Sequence, residues 1–248
     1  MPSARDWMIV AAARLLENRQ RILVGVGIPN IAANLAKRLQ APDLVLVYES
    51  GVIDARPARL PLSIGDGTLV DAALAVVPMS ELFSHYLATG WIDVGFLGAA
   101  QIDASGNLNS TVIGDYYHPR VRLAGSGGAA EIASGAKKTI IVMEHSRDRF
   151  PAKVDFITSP GHPPGRRRPD GRGPWRVVTS LGLFGFDDAG QMGLLALMPS
   201  HTHEEVLDLT GFYIPALVDP VPFLPVPSDQ ELHILQDLRA TLPGGGQG

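Results

Sequence analysis

The segment Tyr48-Glu49-Ser50-Gly51 places a carboxylate, a hydroxyl and a glycine directly after an apolar run at residues 44–47. Such a run is typical of a buried parallel strand. Ligands of open α/β sheets bind just beyond the carboxyl ends of the strands, so we expect Glu49 to face a pocket. A carboxylate held there can act as a covalent nucleophile. Alternatively, Glu49 only ends a strand and caps the next turn, and so short a motif does not exclude this.

Two glycine-rich turns could bring backbone N–H donors close to a bound oxygen. The first turn lies between a predicted strand and a predicted helix, and its donors belong to Gly25, Val26 and Gly27. The second turn runs into a small helix, where its donors could stabilise an oxyanion during acyl transfer. It comprises Gly125, Ser126, Gly127 and Gly128. Either segment could also be a tight turn that binds no ligand.

The first turn matches neither of the common nucleotide-binding motifs. Asn30 stands where a dinucleotide fingerprint has its third glycine, and no Gly-Lys-Ser/Thr follows as in a P-loop. Asn107 and Asn109 lie beside a predicted hairpin, and their amides could position an acyl or thioester oxygen. Asparagine more often fills turns, because it tolerates left-handed backbone. The arginine-rich loop at residues 161–174 could bind a phosphate or could be a solvated surface loop.

The elements that must position these residues are those of an α/β fold. A strand at residues 21–24, a glycine turn, a helix at residues 30–40 and the strand before Glu49 form a βαβ unit. Such a unit implies a parallel strand pair with a right-handed crossover. Periodicity predicts further helices at residues 4–18 (capped by Ser3), 79–89, 203–209 and 228–242. It predicts further strands at residues 92–98, 138–143, 154–157, 175–186 and 192–198.

Together these elements predict a single α/β domain over residues 1–242, with a flexible tail at residues 243–248. The domain should have a mostly parallel central sheet flanked by helices, and an antiparallel extension near the C-terminus. Residues 76–79 and 221–224 are apolar but interrupted by proline, so we expect them at an interface rather than in core strands.

The composition excludes several classes of function. The chain has 248 residues, 46% of them hydrophobic, and a net charge of −4 without a basic stripe, so no nucleic-acid surface is indicated. It has no cysteine, which excludes disulfides and thiolate chemistry. His201 and His203 lie next to acidic residues, but capping by Thr202 explains this pattern better than a metal site does. The sequence shows neither a signal peptide nor an apolar run of the ~18 residues that a membrane span needs, which predicts a soluble cytoplasmic protein.

Taken in order, the motifs resemble those of the β subunit of class I CoA-transferases, specifically the glutaconate CoA-transferase branch. The resemblance covers about residues 21–238, and the ordered set is specific although each motif alone is weak. The segments that carry it are residues 25–29, 48–51, 96–103, 106–111, 125–129, 141–145, 156–161 and 183–187. It implies a CoA-transferase fold of the NagB/RpiA-like type and a companion α subunit in an α2β2 or larger hetero-oligomer. The α subunit is expected to supply much of the CoA site.

The resemblance also implies a ping-pong reaction in which Glu49 attacks an acyl-CoA thioester and then carries CoA as a glutamyl thioester. Coenzyme A and acyl-CoA are then substrates, with no tightly bound cofactor and no metal, and the acceptor is a small carboxylic or dicarboxylic acid. The two glycine turns would contact the oxyanion and the thioester, and Ser50, Asn107 and Asn109 would position the substrate. Ser50 stands where the oxoacid branch has asparagine, which favours the glutaconate-like branch.

Two other functions remain compatible with the sequence. One is an acyl-CoA hydrolase or decarboxylase of the same fold, although the relatives of this kind lack the glutamate. The other is a non-catalytic subunit that binds a sugar phosphate or an acyl group as a sensor. The presence of Glu49 argues against both.

Overall fold

A computed structural model describes residues 2–241 of the chain. Its contacts group these residues into two units, the first formed by residues 2–96 and 226–241 and the second by residues 97–225. The single domain over residues 1–242 stays a prediction, and the predicted tail at residues 243–248 lies outside the described residues. No helix among residues 2–241 is both long and apolar enough to cross a membrane.

The helices and strands follow the alternation that the sequence predicts. The helices are α1 (Ala4–Arg14), α2 (Ile28–Arg38), α3 (Met79–Glu81), α4 (Ala129–Gly135), α5 (His203–Asp208) and α6 (Asp229–Ala240). A 3-10 turn covers Gly67–Leu69, and a π-helical turn, Leu82–Leu87, follows α3. The strands are β1 (Arg21–Val24), β2 (Val45–Tyr48), β3 (Val52–Ile53), β4 (Ala75–Val76), β5 (Val94–Leu97), β6 (Gln101–Ile102), β7 (Leu108–Asn109), β8 (Val112–Gly114), β9 (Pro119–Arg122), β10 (Lys138–Val142), β11 (Pro174–Val178), β12 (Gly182–Phe186) and β13 (Met192–Leu197).

In the first unit the strand order is β5–β1–β2–β3–β4. β1 is parallel to both β5 and β2, whereas β2, β3 and β4 pair antiparallel. The side chains of Ile22, Leu23, Leu46 and Val47 are buried, as is expected of strands with both faces covered. The βαβ unit of the sequence analysis is therefore present, with α2 as its crossover helix.

Helices α1, α2 and α6 pack against one another in the first unit. Arg14 on α1 makes a two-pronged ion pair with Glu231 on α6, with both N···O distances 2.7 Å. Ser3 begins α1 with a capping box, in which its hydroxyl accepts from the Asp6 N–H and the Asp6 carboxylate accepts from Ser3. The predicted cap at Ser3 is thus confirmed, although the helix ends at Arg14 rather than at residue 18.

In the second unit the main strands follow the order β13–β12–β11–β10. β10 and β11 are parallel, and β11, β12 and β13 form the predicted antiparallel extension. The strand predicted over residues 175–186 is two strands, because the Thr179 hydroxyl accepts hydrogen bonds from the N–H groups of Leu181 and Gly182 and closes a turn there.

The strand predicted at residues 154–157 is wrong. The N–H of Asp155 donates to the side chain of Gln101, and the Asp155 carboxylate accepts from the Gln101 amide and from the Gly114 N–H. These bonds use the polar groups that a strand would offer to a neighbour, so the segment folds as a loop.

His145 is buried in the second unit between two threonines and two phenylalanines. Its ring stacks on Phe150 with centroids 3.8 Å apart, and its two nitrogens lie 3.2 and 3.0 Å from the hydroxyls of Thr179 and Thr210. Burial lowers the pKa of His145 to about 4, so the ring is neutral in the folded protein at neutral pH.

We predict that stability falls in mild acid because of His145. Between pH 7 and pH 5 this histidine becomes protonated in the unfolded chain, near its ordinary pKa of about 6.5, but not in the folded protein. This difference lowers the free energy of unfolding by about 2 kcal/mol. Denaturant unfolding at the two pH values measures the loss. The His145→Gln variant should lose about 2 kcal/mol less than the wild type over this interval, whereas the exposed-site control His118→Gln should behave like the wild type. Equal pH dependence in all three proteins would contradict the assignment.

Candidate active site

The ends of β1 and β2 bring two of the predicted functional segments together. The two strands are parallel and in register, with Val24 opposite Tyr48. Gly25 and Glu49 are the next residues, so they leave the sheet side by side on neighbouring strands, which are ~4.8 Å apart in a regular sheet. The glycine turn and the glutamate therefore share one edge of the first unit, which is where ligands of α/β sheets bind.

Glu49 is half-buried and its carboxylate has no partner. No hydrogen bond or ion pair to this carboxylate occurs among residues 2–241. Burial raises its pKa above the ordinary value for glutamate, and no nearby cation acts in the opposite direction. A carboxylate that is partly removed from water and unpaired keeps its lone pairs available for attack on a carbonyl carbon.

Tyr48 fixes the strand end that carries Glu49. Its side chain is fully buried, and its hydroxyl donates to Oδ1 of Asn30 at 2.6 Å. Asn34 in turn donates to the same Asn30 oxygen at 2.9 Å. Asn30 and Asn34 both lie on α2, so this network ties the end of β2 to the crossover helix. In the sequence, Asn30 stands out only as a departure from a glycine motif, and no local pattern predicts this role.

Gly51 reverses the chain after the glutamate. Its φ of +95° is unfavourable for any residue with a side chain. A Cβ at this position would also collide with the backbone carbonyl of Val77, whose N–H donates to the Gly51 carbonyl at 2.9 Å. Glycine is therefore required here, and it keeps Glu49 at the very end of the strand.

Ser50 lies between Glu49 and Gly51 and carries an unused hydroxyl. Its Oγ is buried and has no hydrogen-bond partner among the described residues. A buried polar group without a partner costs roughly 1–3 kcal/mol. Native proteins tolerate such a cost mostly where a group has a function, so this hydroxyl is a candidate contact for a ligand.

The turn formed by Gly25, Val26 and Gly27 presents free donors. Gly27 has a φ of +85° and is the N-cap of α2, but as a glycine it offers no side-chain cap. Within the described part of the chain, no acceptor takes a hydrogen bond from the N–H groups of Val26, Gly27 and Ile28. Unpaired N–H groups at the start of a helix attract anionic oxygens.

The second glycine turn belongs to the second unit and is equally open. Gly125 and Gly127 have φ values of +92° and +49°, and Gly128 begins α4. The N–H groups of Ser126, Gly127 and Gly128 find no acceptor in the range 2–241. The N–H of Gly125 donates to the carbonyl of Ser110, and the Ser110 hydroxyl donates to the carbonyl of Gly125, both at 2.9 Å. These two bonds hold the first residue of the turn in place.

Asn107 and Asn109 are engaged within the second unit. The Asn107 amide donates to the Asp103 carboxylate, and its oxygen accepts from the Gly161 N–H at 2.8 Å. Asn109 is completely buried and donates to the side chain of Gln101 and to the carbonyl of Val112. Both amides therefore hold the β6–β7 hairpin that leads to Ser110, which gives them a structural role.

The residues next to His201 and His203 form the predicted N-terminal cap of α5. The Thr202 hydroxyl accepts from the Glu205 N–H, and Glu205 accepts from the Thr202 N–H, which completes a capping box. Among residues 2–241 no three histidine, aspartate or glutamate side chains are grouped so that they could hold a metal ion.

Comparisons with known proteins show the family to which the chain belongs. The profile of the family described as Coenzyme A transferase matches residues 5–208. One subunit of the 3-oxoadipate CoA-transferase of Pseudomonas knackmussii is 46% identical over 245 residues, which cover 96% of this chain and 94% of that protein. One subunit of the glutaconate CoA-transferase of Acidaminococcus fermentans is 41% identical over 219 residues, which cover 84% of this chain and 82% of that protein.

The fold agrees as well. The crystal structure of glutaconate coenzyme A-transferase from Acidaminococcus fermentans superposes with a TM-score of 0.89 and 36% identity, covering 95% of this chain and 94% of that one. The predicted α/β class and CoA-transferase fold are therefore confirmed. On the family profile, the two relatives and the shared fold, this chain belongs to the coenzyme A transferase family.

Proposed function

We propose that this chain is the catalytic β subunit of a heteromeric CoA-transferase and that Glu49 is its covalent nucleophile. The observation that carries the proposal is the half-buried, unpaired carboxylate at the end of β2, beside a turn of free N–H donors. A glutamate that only capped a turn would accept hydrogen bonds from that turn, and Glu49 accepts none from the described residues.

The reaction consists of two halves that mirror each other. A Glu49 oxygen attacks the thioester carbonyl of the donor acyl-CoA, and the carbon–sulfur bond breaks to give a mixed anhydride and CoA thiolate. The thiolate then attacks the Glu49 carbonyl of the anhydride, which releases the donor carboxylate and leaves a glutamyl-CoA thioester. The acceptor carboxylate repeats these steps in reverse, so neither water nor a net proton is consumed.

The first glycine turn, which lies beside Glu49, supplies donors for the negative charge that develops on each carbonyl oxygen. We assign the N–H groups of the first turn (Gly25, Val26, Gly27) to the oxyanion and the thioester. In the second unit, the free N–H groups of Ser126, Gly127 and Gly128 stay a predicted thioester contact, whereas the N–H of Gly125 is used by the Ser110 carbonyl. Fixed backbone donors of this kind typically contribute about 3–4 kcal/mol each to a transition state. We assign Ser50 to the substrate carboxylate, with Asn107 and Asn109 acting indirectly by holding the hairpin beneath the second turn.

The two relatives named above act on 3-oxoadipate and glutaconate, according to their names. Both compounds are dicarboxylic acids, so we propose a small dicarboxylic acid as the acceptor. The partner is an α subunit, because each relative is named as one subunit of a CoA-transferase rather than as the whole enzyme. We also propose that the protein is located in the cytoplasm, as the sequence predicts.

The apolar residues around β4 are the proposed contact with that α subunit. Leu74 is 75% exposed, Val76 59% and Met79 53%, and β4 is the last strand in the order of the first unit. A strand that is last in its sheet and exposes apolar side chains tends to associate with other chains. Such a strand is typical of a protein–protein interface. In the second unit, Phe223 is 60% exposed within the other proline-interrupted segment.

Replacement of Glu49 tests the nucleophile. In the complex with the α subunit, Glu49→Gln should abolish transfer because an amide cannot form the anhydride. Glu49→Asp should do the same, because a shift of ~1 Å in a reacting group can cost ~100-fold in rate. The measurements are steady-state transfer rates and thermal melts, with Glu17→Gln and Glu17→Asp as exposed matched controls that keep the wild-type rate. A Glu49→Gln rate above about a tenth of wild type, less than ~1.4 kcal/mol of barrier, would falsify the assignment.

The same complex distinguishes transfer from hydrolysis or decarboxylation. Borohydride reduces a glutamyl thioester to an alcohol, so treatment after incubation with acyl-CoA should inactivate a transferase permanently. The mass of the reduced chain should show the change on the peptide that contains Glu49. Full activity after this treatment favours an enzyme that works without the thioester.

Replacement of Ser50 separates substrate positioning from folding. Because its hydroxyl is buried without a partner, Ser50→Ala should leave the melting temperature unchanged or slightly higher. If the hydroxyl binds the substrate carboxylate, kcat/KM should fall about tenfold or more, which is the value of a hydrogen bond to a charged group. Wild-type kinetics together with a wild-type melt would remove Ser50 from the site.

The proposed interface predicts that the chain alone has little or no transferase activity and self-associates. In a co-purification with the α subunit, Val76→Asp should reduce recovery of the complex, because a charge would be buried in the contact. Val121→Asp, at an exposed valine of β9, is the matched control. Full turnover by the purified single chain, or equal recovery of both variants, would contradict the two-subunit arrangement.

A further inference from the structure

The arginine-rich loop at residues 161–174 is folded against the second unit. The His162 Nε2 donates to the Pro174 carbonyl at 3.0 Å, and its Nδ1 accepts from the Arg168 N–H at 3.3 Å. The Gly173 carbonyl accepts from the Thr139 N–H at 2.9 Å. These bonds fix both ends of the arginine-bearing segment.

Glycine shapes the same segment from within. Gly173 has a φ of +106°, and a Cβ there would lie 2.8 Å from Cδ of Arg168. The absence of a side chain lets the Arg168 stem pass directly over the backbone. The loop backbone therefore sets the path of the Arg168 side chain.

The loop and β10 enclose a cavity of about 320 Å³ with a cationic wall. Its charged lining consists of Lys138, Arg167, Arg168 and Arg172, and no carboxylate belongs to the described lining. The exposed Asp170 carboxylate lies next to two of these arginines: it is 3.5 Å from Nε of Arg168 and accepts from the backbone N–H of Arg172 at 3.0 Å. For the side chains of Lys138, Arg167 and Arg172, no carboxylate of residues 2–241 lies within ion-pair distance.

The other contacts of these cations leave most of their donors unused. Nζ of Lys138 lies 4.4 Å from the ring centre of Trp175, and Arg172 reaches the Ser134 carbonyl only at 3.5 Å. Nε of Arg167 donates to the Asp187 carbonyl at 2.9 Å, and one of its terminal nitrogens donates to the Phe186 carbonyl. Backbone contacts thus orient the arginines without neutralising them.

The positive charge of these arginines lowers the pKa of neighbouring titratable groups. Burial and the charge of Arg167 lower the pKa of Arg176, although a guanidinium remains protonated. Burial first, and then the charges of Arg167 and Arg168, hold the pKa of His162 below its usual range despite its bond to Pro174. Four cations gathered beside the single carboxylate of Asp170 repel one another, and a bound anion would relieve this repulsion.

We propose that this cavity is a binding site for a phosphate-bearing ligand. Guanidinium groups in fixed positions bind phosphate oxygens through paired hydrogen bonds, and several of them match a group with more than one negative charge. The volume exceeds that of a single phosphate and suits a diphosphate or part of a nucleotide. The ligand is either the nucleotide portion of coenzyme A or a separate phosphate compound. None of these residues takes part in the proposed chemistry of Glu49.

Calorimetric titration of the full chain with inorganic pyrophosphate at low ionic strength tests the site. Arg172→Gln and Lys138→Gln should each weaken pyrophosphate binding about tenfold, because each removes a charged donor. The matched control is Arg120→Gln, which removes the same charge from the exposed strand β9 and should change the affinity less than about twofold. Circular dichroism and thermal melts establish that each variant is folded.

Two further arms identify the source of the phosphate. If coenzyme A displaces pyrophosphate and pantetheine, which has no phosphate, does not, the ligand is the nucleotide portion of coenzyme A. If coenzyme A does not compete, the ligand is a separate phosphate compound. The inactive Glu49→Gln variant should bind pyrophosphate like the wild type, which keeps this test independent of the proposed reaction. The site is refuted if pyrophosphate does not saturate, if both lining variants keep wild-type affinity, or if Arg120→Gln weakens binding as much as Arg172→Gln.

Discussion

The bond from the Tyr48 hydroxyl to the Asn30 side chain, 2.6 Å long and fully buried, holds the end of β2 against helix α2. A buried hydroxyl that lost this acceptor would cost roughly 1–3 kcal/mol, so the bond strongly selects one arrangement of strand and helix. Because β1 and β2 are in register at Val24 and Tyr48, the same arrangement sets the glycine turn beside Glu49. The nucleophile can then remain unpaired and half-buried, since its position depends on the backbone around it and not on a salt bridge of its own.

The strand ends could be predicted because they depend on short-range patterns. An apolar run that stops at a glutamate and a glycine gives the position of Glu49, and capping boxes give the starts of α1, α5 and α6. The partners of buried polar groups could not be predicted, because they lie far apart in the chain. Tyr48 and Asn30 are 18 residues apart, and His145 meets Thr210 across 65 residues. No periodicity in the sequence reports such pairs.

Side-chain hydrogen bonds also explain the mistaken elements. The apolar pattern at residues 154–157 resembles a strand, but Gln101 and Gly114 bind the polar groups of Asp155. The continuous run at residues 175–186 is divided because the Thr179 hydroxyl closes a turn on Leu181 and Gly182. In both places a side chain competes with the hydrogen bonds of the sheet, and this competition does not change hydropathy. Asn107 and Asn109 illustrate the converse, since amides that could have met a substrate are fully used inside the protein.

The unpaired groups at Glu49 and Ser50 and the cations of the arginine-rich loop differ in how they are held. At Glu49 and Ser50 the unpaired groups are short side chains that follow a buried strand, so their positions are set by β2 and by the close backbone contact at Gly51. In the arginine-rich loop the charged groups are long cations, and a loop must supply the rigidity that a strand supplies at Glu49. The buried and neutral His162 does this by bonding to Pro174 and to the backbone of Arg168. A protonated His162 could not accept the Arg168 N–H, so burial, which lowers the pKa of this histidine, favours the form that makes this bond.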